Sequence, residues 1–324
     1  MTDKPSHFVF VLLDNFSLLA FASALECLRI ANRMASSPLY SWEVQSETGD
    51  NVTCSAGTTF ASDTKLGELS RDDTVLVCAG LEVQKATTKP LMNWLRREAR
   101  KGLRIGGLCT GAHVLAEAGL LDGKRATIHW ENHDSFAEQY EDITLTKSVF
   151  VLDGNRMTTA GGTSSIDLML KLIADRNGEE LANSVADQLI YSSIRTDQDT
   201  QRLSVPTRIG VRHPKLSQVI QMMERNIEEP ISPAILAKDV GMSTRQLERL
   251  FRRYLNRSPK RYYMELRLQK ARNLLMQTDM SVINVALACG FSSPSHFSKC
   301  YRAQYQTTPY RERGTQATRA EAQD

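Results

Sequence analysis

Near the C-terminus the same local plan is written twice, over Ser232 to Leu255 and over Ser281 to Tyr305: a capped short helix, a glycine turn, and a second helix studded with polar side chains. In the first copy Ser232 caps the opening helix with Pro233 at its first position, where proline has no N–H to lose and its φ is already helical. That helix runs to about Val240. Gly241 makes the turn and Ser243 caps the second helix, in which Leu247, Leu250, Phe251 and Tyr254 fall at the spacing of one buried face. Arg245, Gln246, Glu248, Arg249, Arg252 and Arg253 are left outward. In the second copy Ser281 is the cap, Val282, Val285, Ala286 and Ala288 face inward, and Gly290 makes the turn. The following helix, from about Pro294 to Tyr305, buries Phe297, Cys300 and Tyr301 and offers Ser295, Ser298, Lys299 and Arg302 outward. Between the copies, Pro259 to Gln277 is amphipathic through Leu266, Leu268, Leu274 and Leu275, which suits one long linking helix.

A solvated arginine stripe on a helical bundle would look similar at each position taken alone. The distribution of charge separates the two readings. Residues 1 to 195 carry 19 Lys+Arg against 25 Asp+Glu, whereas residues 196 to 324 carry 21 against 12. The stretch 238 to 302 alone holds 13 against 4, so the positive excess sits on the two helix-turn-helix units. A basic helical part joined to an acidic part implies that the basic one binds a polyanion, and paired helix-turn-helix units imply DNA.

The run from Gly241 to Phe251, then Ser258-Pro259-Lys-Arg-Tyr-Tyr263, Arg267-Leu268, Ala271-Arg272, Val285-Ala286 and Gly290 to Tyr301, resembles the AraC/XylS regulators over about 90 residues. The resemblance implies that each second helix enters a major groove, the two grooves being neighbours on one DNA face. Carried over by position, the base-reading residues are Arg245, Glu248 and Arg249 in the first unit and Ser295, Ser298 and Lys299 in the second, with Arg253 on the same outer side. Arginine can pair bidentately with guanine and glutamate can accept from cytosine, whereas serine and Pro294 reach less far. The second unit is therefore expected to contribute mostly phosphate positioning.

Residues 7 to about 190 alternate strand-like and helix-like runs. Strands are expected at His7 to Leu13, Trp42 to Ser46, Thr74 to Ala79, Leu103 to Leu108, Ala126 to His129 and Val149 to Val151, and helices at Leu18 to Arg33, Pro90 to Lys101, Ala112 to Ala118, Ser164 to Ala174 and Glu179 to Tyr191. The implied fold is a doubly wound, flavodoxin-like α/β domain followed by an all-α double helix-turn-helix domain. The expected division is 1–194 for the first domain, 195–214 for a linker, 215–313 for the second domain and 314–324 for a tail. No signal peptide or membrane-length apolar run is present, so the cytoplasm is the expected location. The six cysteines, at 27, 54, 78, 109, 289 and 300, form no CxxC pair, so neither a metal site nor a disulfide framework is expected.

Within the α/β part, Gly107-Leu-Cys109-Thr-Gly111 sits between a strand and a helix. The glycines permit a strained turn that would put Cys109 at a helix N-terminus, where the dipole can lower a thiol's pKa. Together with Thr110 to Leu121, His129-Trp130 and Ala160-Gly161-Gly162-Thr163 leading to Asp167, this resembles the DJ-1/PfpI fold of the class I glutamine amidotransferase superfamily. An enzyme of that superfamily activates the cysteine with a histidine, often the next residue, and a glutamate after the first strand. Here the next residue is Thr110, the loop from Asp14 to Leu19 has no glutamate, and the nearest such acid is Glu26. The reading is a retired catalytic pocket that binds a metabolite at the carboxyl ends of the strands, with no catalytic residue and no cofactor.

The two domains in this order resemble the GlxA-type transcriptional regulators. Glu26-Cys-Leu-Arg29-Ile-Ala-Asn32, Arg195-Thr196, Gln201-Arg202 and His213-Pro214-Lys215-Leu216 resemble the subgroup that controls catabolism of glycine betaine, carnitine, choline or arginine. The resemblance implies a ligand-responsive regulator, an activator, whose small cationic or zwitterionic effector binds near Glu26, Cys109, Thr110, His129 and Trp130. An aromatic face suits a quaternary ammonium, and of Trp42, Trp94 and Trp130 only the last adjoins these residues. The implied partners are promoter DNA, the effector, RNA polymerase and a second copy of the chain, with no membrane. The alternatives are a DJ-1-like cysteine hydrolase or glyoxalase carrying a DNA tether, and a dimeric DNA-binding protein that ignores ligands.

Overall fold

Runs of apolar residues on both sides of a strand demand cover on both faces of the sheet, and the α/β part meets that demand. A computed structural model describes residues 4–202, 205–211 and 213–313. The chain divides into two compact units at Gln201/Arg202. In the first unit, seven strands form one sheet: β1 (Ser6–Leu12), β2 (Tyr40–Ser46), β3 (Thr64–Lys65), β4 (Thr74–Cys78), β5 (Arg104–Leu108), β6 (Phe150–Asp153) and β7 (Arg156–Thr159). Their order is β6-β7-β5-β4-β1-β2-β3, and every pairing is parallel except the β6/β7 hairpin at the edge. Alternate residues of each strand serve different cores. Phe8, Phe10, Leu12, Leu76 and Cys78 pack against the helices Leu18–Ala35, Ser164–Asn177 and Glu179–Gln188. Val9, Val11, Leu13, Val75 and Val77 pack against Lys89–Ala99 and Gly111–Glu117. Such strands read as continuous apolar runs because both their faces are buried.

One expected strand is not part of this sheet. Arg125–Ala126 pairs with Thr144–Leu145 in a separate two-stranded ribbon, and His129 lies beyond it rather than at a strand end. The chain leaves the extended pairing at Thr127, whose N–H donates to Thr158 Oγ1 at 2.9 Å and whose hydroxyl donates to the Ser148 carbonyl at 2.7 Å. A 3₁₀ turn, Trp130–Asn132, then begins with His129 as its cap. The two-residue edge strand β3 was not expected, since two residues carry no periodicity.

The second unit holds two small cores joined by one helix. Leu216, Val219, Ile220, Leu236, Leu247, Phe251 and Tyr263 form the first; Leu268, Leu274, Val285, Phe291, Phe297 and Tyr301 form the second. Helix Pro259–Gln277 contributes to both, so it is the spine of the unit. Residues 195–214 are shared out: Arg195 and Gln201 are bonded within the first unit, to the helix residue Asp167 and to Ile128, while Val205–Ile209 is a short helix with Val205 buried in the first helical core. The tail 314–324 lies outside the described residues.

Candidate nucleic-acid interface and ligand crevice

The first reading helix, Thr244–Leu255, starts with a complete capping box: Ser243 Oγ accepts from Gln246 N–H, and Gln246 Oε1 accepts from Ser243 N–H. This fixes the helix start to the residue and uses Gln246, which is therefore a cap as well as an outward residue. Leu247 and Phe251 are fully buried, and Arg245, Glu248, Arg249, Arg252 and Arg253 are exposed on the other side. Arg245, Glu248 and Arg249 make no hydrogen bond or ion pair among the described residues, whereas the Arg253 guanidinium lies 5.3 Å from the Tyr254 ring centre. Three extended, uncommitted polar side chains on one face suit insertion into a groove.

The second reading helix, Pro294–Tyr305, is capped by Ser293, whose Oγ accepts from His296 N–H. Phe297 and Tyr301 are buried, Ser295 and Lys299 are exposed, and Ser298 is half-buried. Cys300 is half-buried as well, and its Sγ lies 3.4 Å from Nε2 of the exposed His296. Aligned on their caps, Arg245 matches Ser295, Gln246 matches His296, Glu248 matches Ser298 and Arg249 matches Lys299. His296 was not among the expected reading residues, nor was Gln246, the residue it matches.

In the first unit, loops after β1, β4, β5 and β7 converge at the carboxyl edge of the sheet, the usual crevice of a parallel α/β fold. Cys109 follows β5 with φ at +60°, a left-handed conformation that is rare outside glycine. Its neighbours must be glycines: a Cβ on Gly107 would come within 2.5 Å of Gly111 C, one on Gly111 within 2.4 Å of Val77 O, and one on Gly161 within 2.5 Å of Cys109 Cβ. Thr110 is buried, and its hydroxyl donates to Gly80 O at 2.7 Å, tying the β4 and β5 loops together. Leu19, in the first turn of the helix after β1, Leu81, on the loop after β4, and Trp130, on the turn after His129, are 55%, 61% and 40% exposed.

At this thiol burial outweighs the helix N-terminus. Burial pushes the Cys109 pKa up to about 11; the Thr110 N–H pulls it down, and the negative charge of Glu131 adds to the rise. Its helix, Gly111–Glu117, has only seven residues, too few for its dipole to reverse desolvation. Cys109 has no hydrogen bond to a histidine among the described residues. His113, on that same helix, meets Tyr140 instead, and His129, which burial keeps below the usual imidazole pKa, accepts from Glu131 N–H at 3.4 Å. Glu26 is held by Arg29 at 2.5 to 3.0 Å. Glu131, which sequence reasoning missed, is thus the carboxylate whose field reaches Cys109. Its adjacency to Trp130 is the only signal that could have found it. Among the described residues no group of three His, Cys, Asp or Glu is placed to hold a metal, and no helix is long and apolar enough to cross a membrane.

The segment leaving the sheet is clamped twice. Asp167, fully buried four residues after Thr163, accepts from Arg195 N at 2.8 Å and from Arg195 Nε at 2.9 Å, while Arg195 Nη2 reaches Thr163 Oγ1 at 2.9 Å. Gln201 Nε2 donates to Thr127 Oγ1, Ile128 O and Ser148 O at 2.8 to 3.1 Å. Thr163 follows Gly161, which packs on Cys109, and Ile128 precedes His129. Both clamps therefore fasten within two residues of the crevice loops.

Residues 8–175 match the DJ-1/PfpI family and residues 236–314 match the helix-turn-helix domain family. The chain is 49% identical over 97% of its length to the HTH-type transcriptional regulator CdhR of Pseudomonas aeruginosa, covering 94% of that protein. It is 39% identical to the HTH-type transcriptional regulator GlxA of Rhizobium meliloti, over 93% of each chain. The crystal structure of an AraC family transcriptional regulator from Pseudomonas putida superposes with a TM-score of 0.52 at 31% identity, over 57% of this chain and 100% of that one.

Proposed function

The chain belongs to the HTH-type transcriptional regulators of the AraC/GlxA class, a DJ-1/PfpI domain followed by an AraC-type helix-turn-helix domain, and on that premise we propose that the first domain is a metabolite sensor and not an enzyme. The observation that carries this reading is the Cys109 turn: a strained elbow built for chemistry holds a buried, protonated thiol without a histidine partner. At pH 8 a thiol of pKa about 11 is ionised in only about one molecule in a thousand. Retained steric strain without an activated nucleophile supports shape recognition at the crevice.

The effector class that fits is a small amine cation or zwitterion, such as glycine betaine, carnitine, choline or arginine. Trp130 offers an aromatic face beside Glu131, with His129 and Thr110 shaping the walls; the cap-like Arg29 pair makes Glu26 the weakest member of the expected set. The two clamps supply the route outward. A ligand that shifts the Gly161–Thr163 or His129–Glu131 loops biases Arg195 and Gln201, and with them the segment leading to the helical domain of about 215–313. Such a shift is limited to the difference in affinity between the two arrangements. A homodimer in the cytoplasm that activates RNA polymerase at a promoter completes the proposal.

Thermal unfolding of the full chain against those four compounds tests it. One compound should raise the midpoint, since a ligand at a hundred times its Kd adds about 2.7 kcal/mol. Trp130→Ala should abolish that shift while leaving the unliganded midpoint within a degree or two. A midpoint indifferent to all four, or alkylation of Cys109 by iodoacetamide at pH 7.5 as fast as a free thiol, would contradict the sensor reading. Arg195→Ala should cost about 1 to 3 kcal/mol of stability, because the buried Asp167 carboxylate loses its ion pair while keeping the bonds from the Tyr191 hydroxyl and the residue 195 N–H.

A further inference from the structure

At the amino ends of β1, β4 and β5, the opposite end of the strands from Cys109, the sheet unit carries a second cleft of about 390 Å³. Its lining includes Lys4, His7, Arg71, Asp72, Arg104 and Arg176. Most of the polar groups around it are committed elsewhere. Asp73 accepts from Ser70 N–H at 2.8 Å, Arg71 Nε donates to Lys101 O at 3.0 Å, and His7 Nδ1 is 2.9 Å from Ser41 Oγ with Glu43 4.0 Å from its other nitrogen. Arg104 and Arg176 are different: among the described residues no hydrogen bond or ion pair holds either one, and Asp72 pairs with neither. Burial lowers the Arg104 pKa, and the positive charge of Arg176 lowers it further. Both guanidiniums also lower the Tyr40 phenol's pKa, against the larger rise that burial causes.

Both side chains are exposed at this cleft, which Asp72 and Asp73 also line, and with no bond of their own the two guanidiniums keep their N–H donors available to a ligand. Guanidinium groups offer paired N–H donors that match the oxygens of a phosphate, and two of them match a dianion in charge. The cleft is large enough for a phosphomonoester and too small for a duplex. We propose that this cleft is an anion site, distinct from the Cys109 crevice, in which Arg104 and Arg176 bind the oxygens of inorganic phosphate or a small phosphomonoester, with Lys4 and Arg71 at the rim. The regulator would then read two signals, one at each end of its sheet.

The experiment is thermal unfolding of the full chain in phosphate, in glycerol 1-phosphate and in chloride at matched ionic strength. The midpoint should rise with the logarithm of phosphate or phosphomonoester concentration and stay level in chloride; a response to the ester alone assigns the site to phosphorylated metabolites rather than free phosphate. Because the helical domain also carries arginines, the source of the shift is fixed by two double variants. Arg104→Ala/Arg176→Ala should lose at least nine-tenths of it, and Arg245→Ala/Arg249→Ala should keep it. Arg176→Ala alone, which removes no bond, should leave the midpoint in chloride equal to or above that of the parent. The proposal is overturned if the midpoint follows ionic strength alone, if the Arg104/Arg176 variant shifts like the parent, or if Arg176→Ala in chloride is destabilising.

Discussion

The two helix-turn-helix units share a scaffold and differ in what it presents. Both reading helices begin at a serine cap, bury an aromatic or leucine pair one turn apart, and end on a residue in the left-handed conformation, Asn256 with φ at 52° and Gln306 at 58°. Ser258-Pro259 and Thr308-Pro309 follow at the same interval, each hydroxyl accepting from the N–H three residues on. On that common frame the first helix extends Arg245, Glu248 and Arg249, and the second Ser295, Ser298 and Lys299. The turns differ in the reverse sense. A Cβ on Gly241 would meet nothing nearer than Lys215 Nζ at 3.8 Å, while one on Gly290 would lie 2.6 Å from Ile227 O and 2.7 Å from Glu228 O. Arg267 further pins the second turn, donating to Cys289 O and Gly290 O and lying 4.1 Å from the Phe291 ring centre. The first unit thus presents longer polar side chains beside a roomier turn, and the second presents shorter ones beside a pinned turn.

The largest effect that could break this contrast is on stability. Gly290→Ala should cost about 3 kcal/mol or more, since backbone must move as well as adopt a strained φ, whereas Gly241→Ala should cost only about 1 kcal/mol. Chemical denaturation measures both, and equal losses would remove the asymmetry of the turns. Next comes Arg249→Ala, expected to weaken operator binding by about 1 to 3 kcal/mol and to relax preference at one base position. Lys299→Ala should weaken all sequences alike by less than about 1 kcal/mol and reduce the salt slope by about one. Smallest is Ser298→Ala, already half-buried, which should change operator binding by a few tenths of a kcal/mol at most.

Much of this frame was legible because its signals are local. Ser232, Ser243 and Ser281 cap as their spacing implies, and the linking helix spans Pro259–Gln277, as its apolar pattern and opening proline imply. The second reading helix likewise spans Pro294–Tyr305, as its opening proline implies, with Ser293 as its cap. In the sheet, continuous apolar runs such as Val9 to Leu13 disclosed two covered faces. The thiol's protonation depends on burial by loops distant in sequence, and Glu131 reaches Cys109 only through the fold. The division of 195–214 was hidden for the same reason: Arg195 and Gln201 are unremarkable polar residues until Asp167 and Thr127 are brought beside them.

The proposed contrast between base reading by the first unit and phosphate positioning by the second is tested most directly by selecting bound sites from a pool of random DNA duplexes with the full chain, its Arg249→Ala variant and its Lys299→Ala variant. The selected motif should lose its preference at one position with Arg249→Ala and keep every position, at lower recovery, with Lys299→Ala. A motif unchanged by Arg249→Ala, or one that loses a base position with Lys299→Ala, would contradict the assignment of base reading to the first helix.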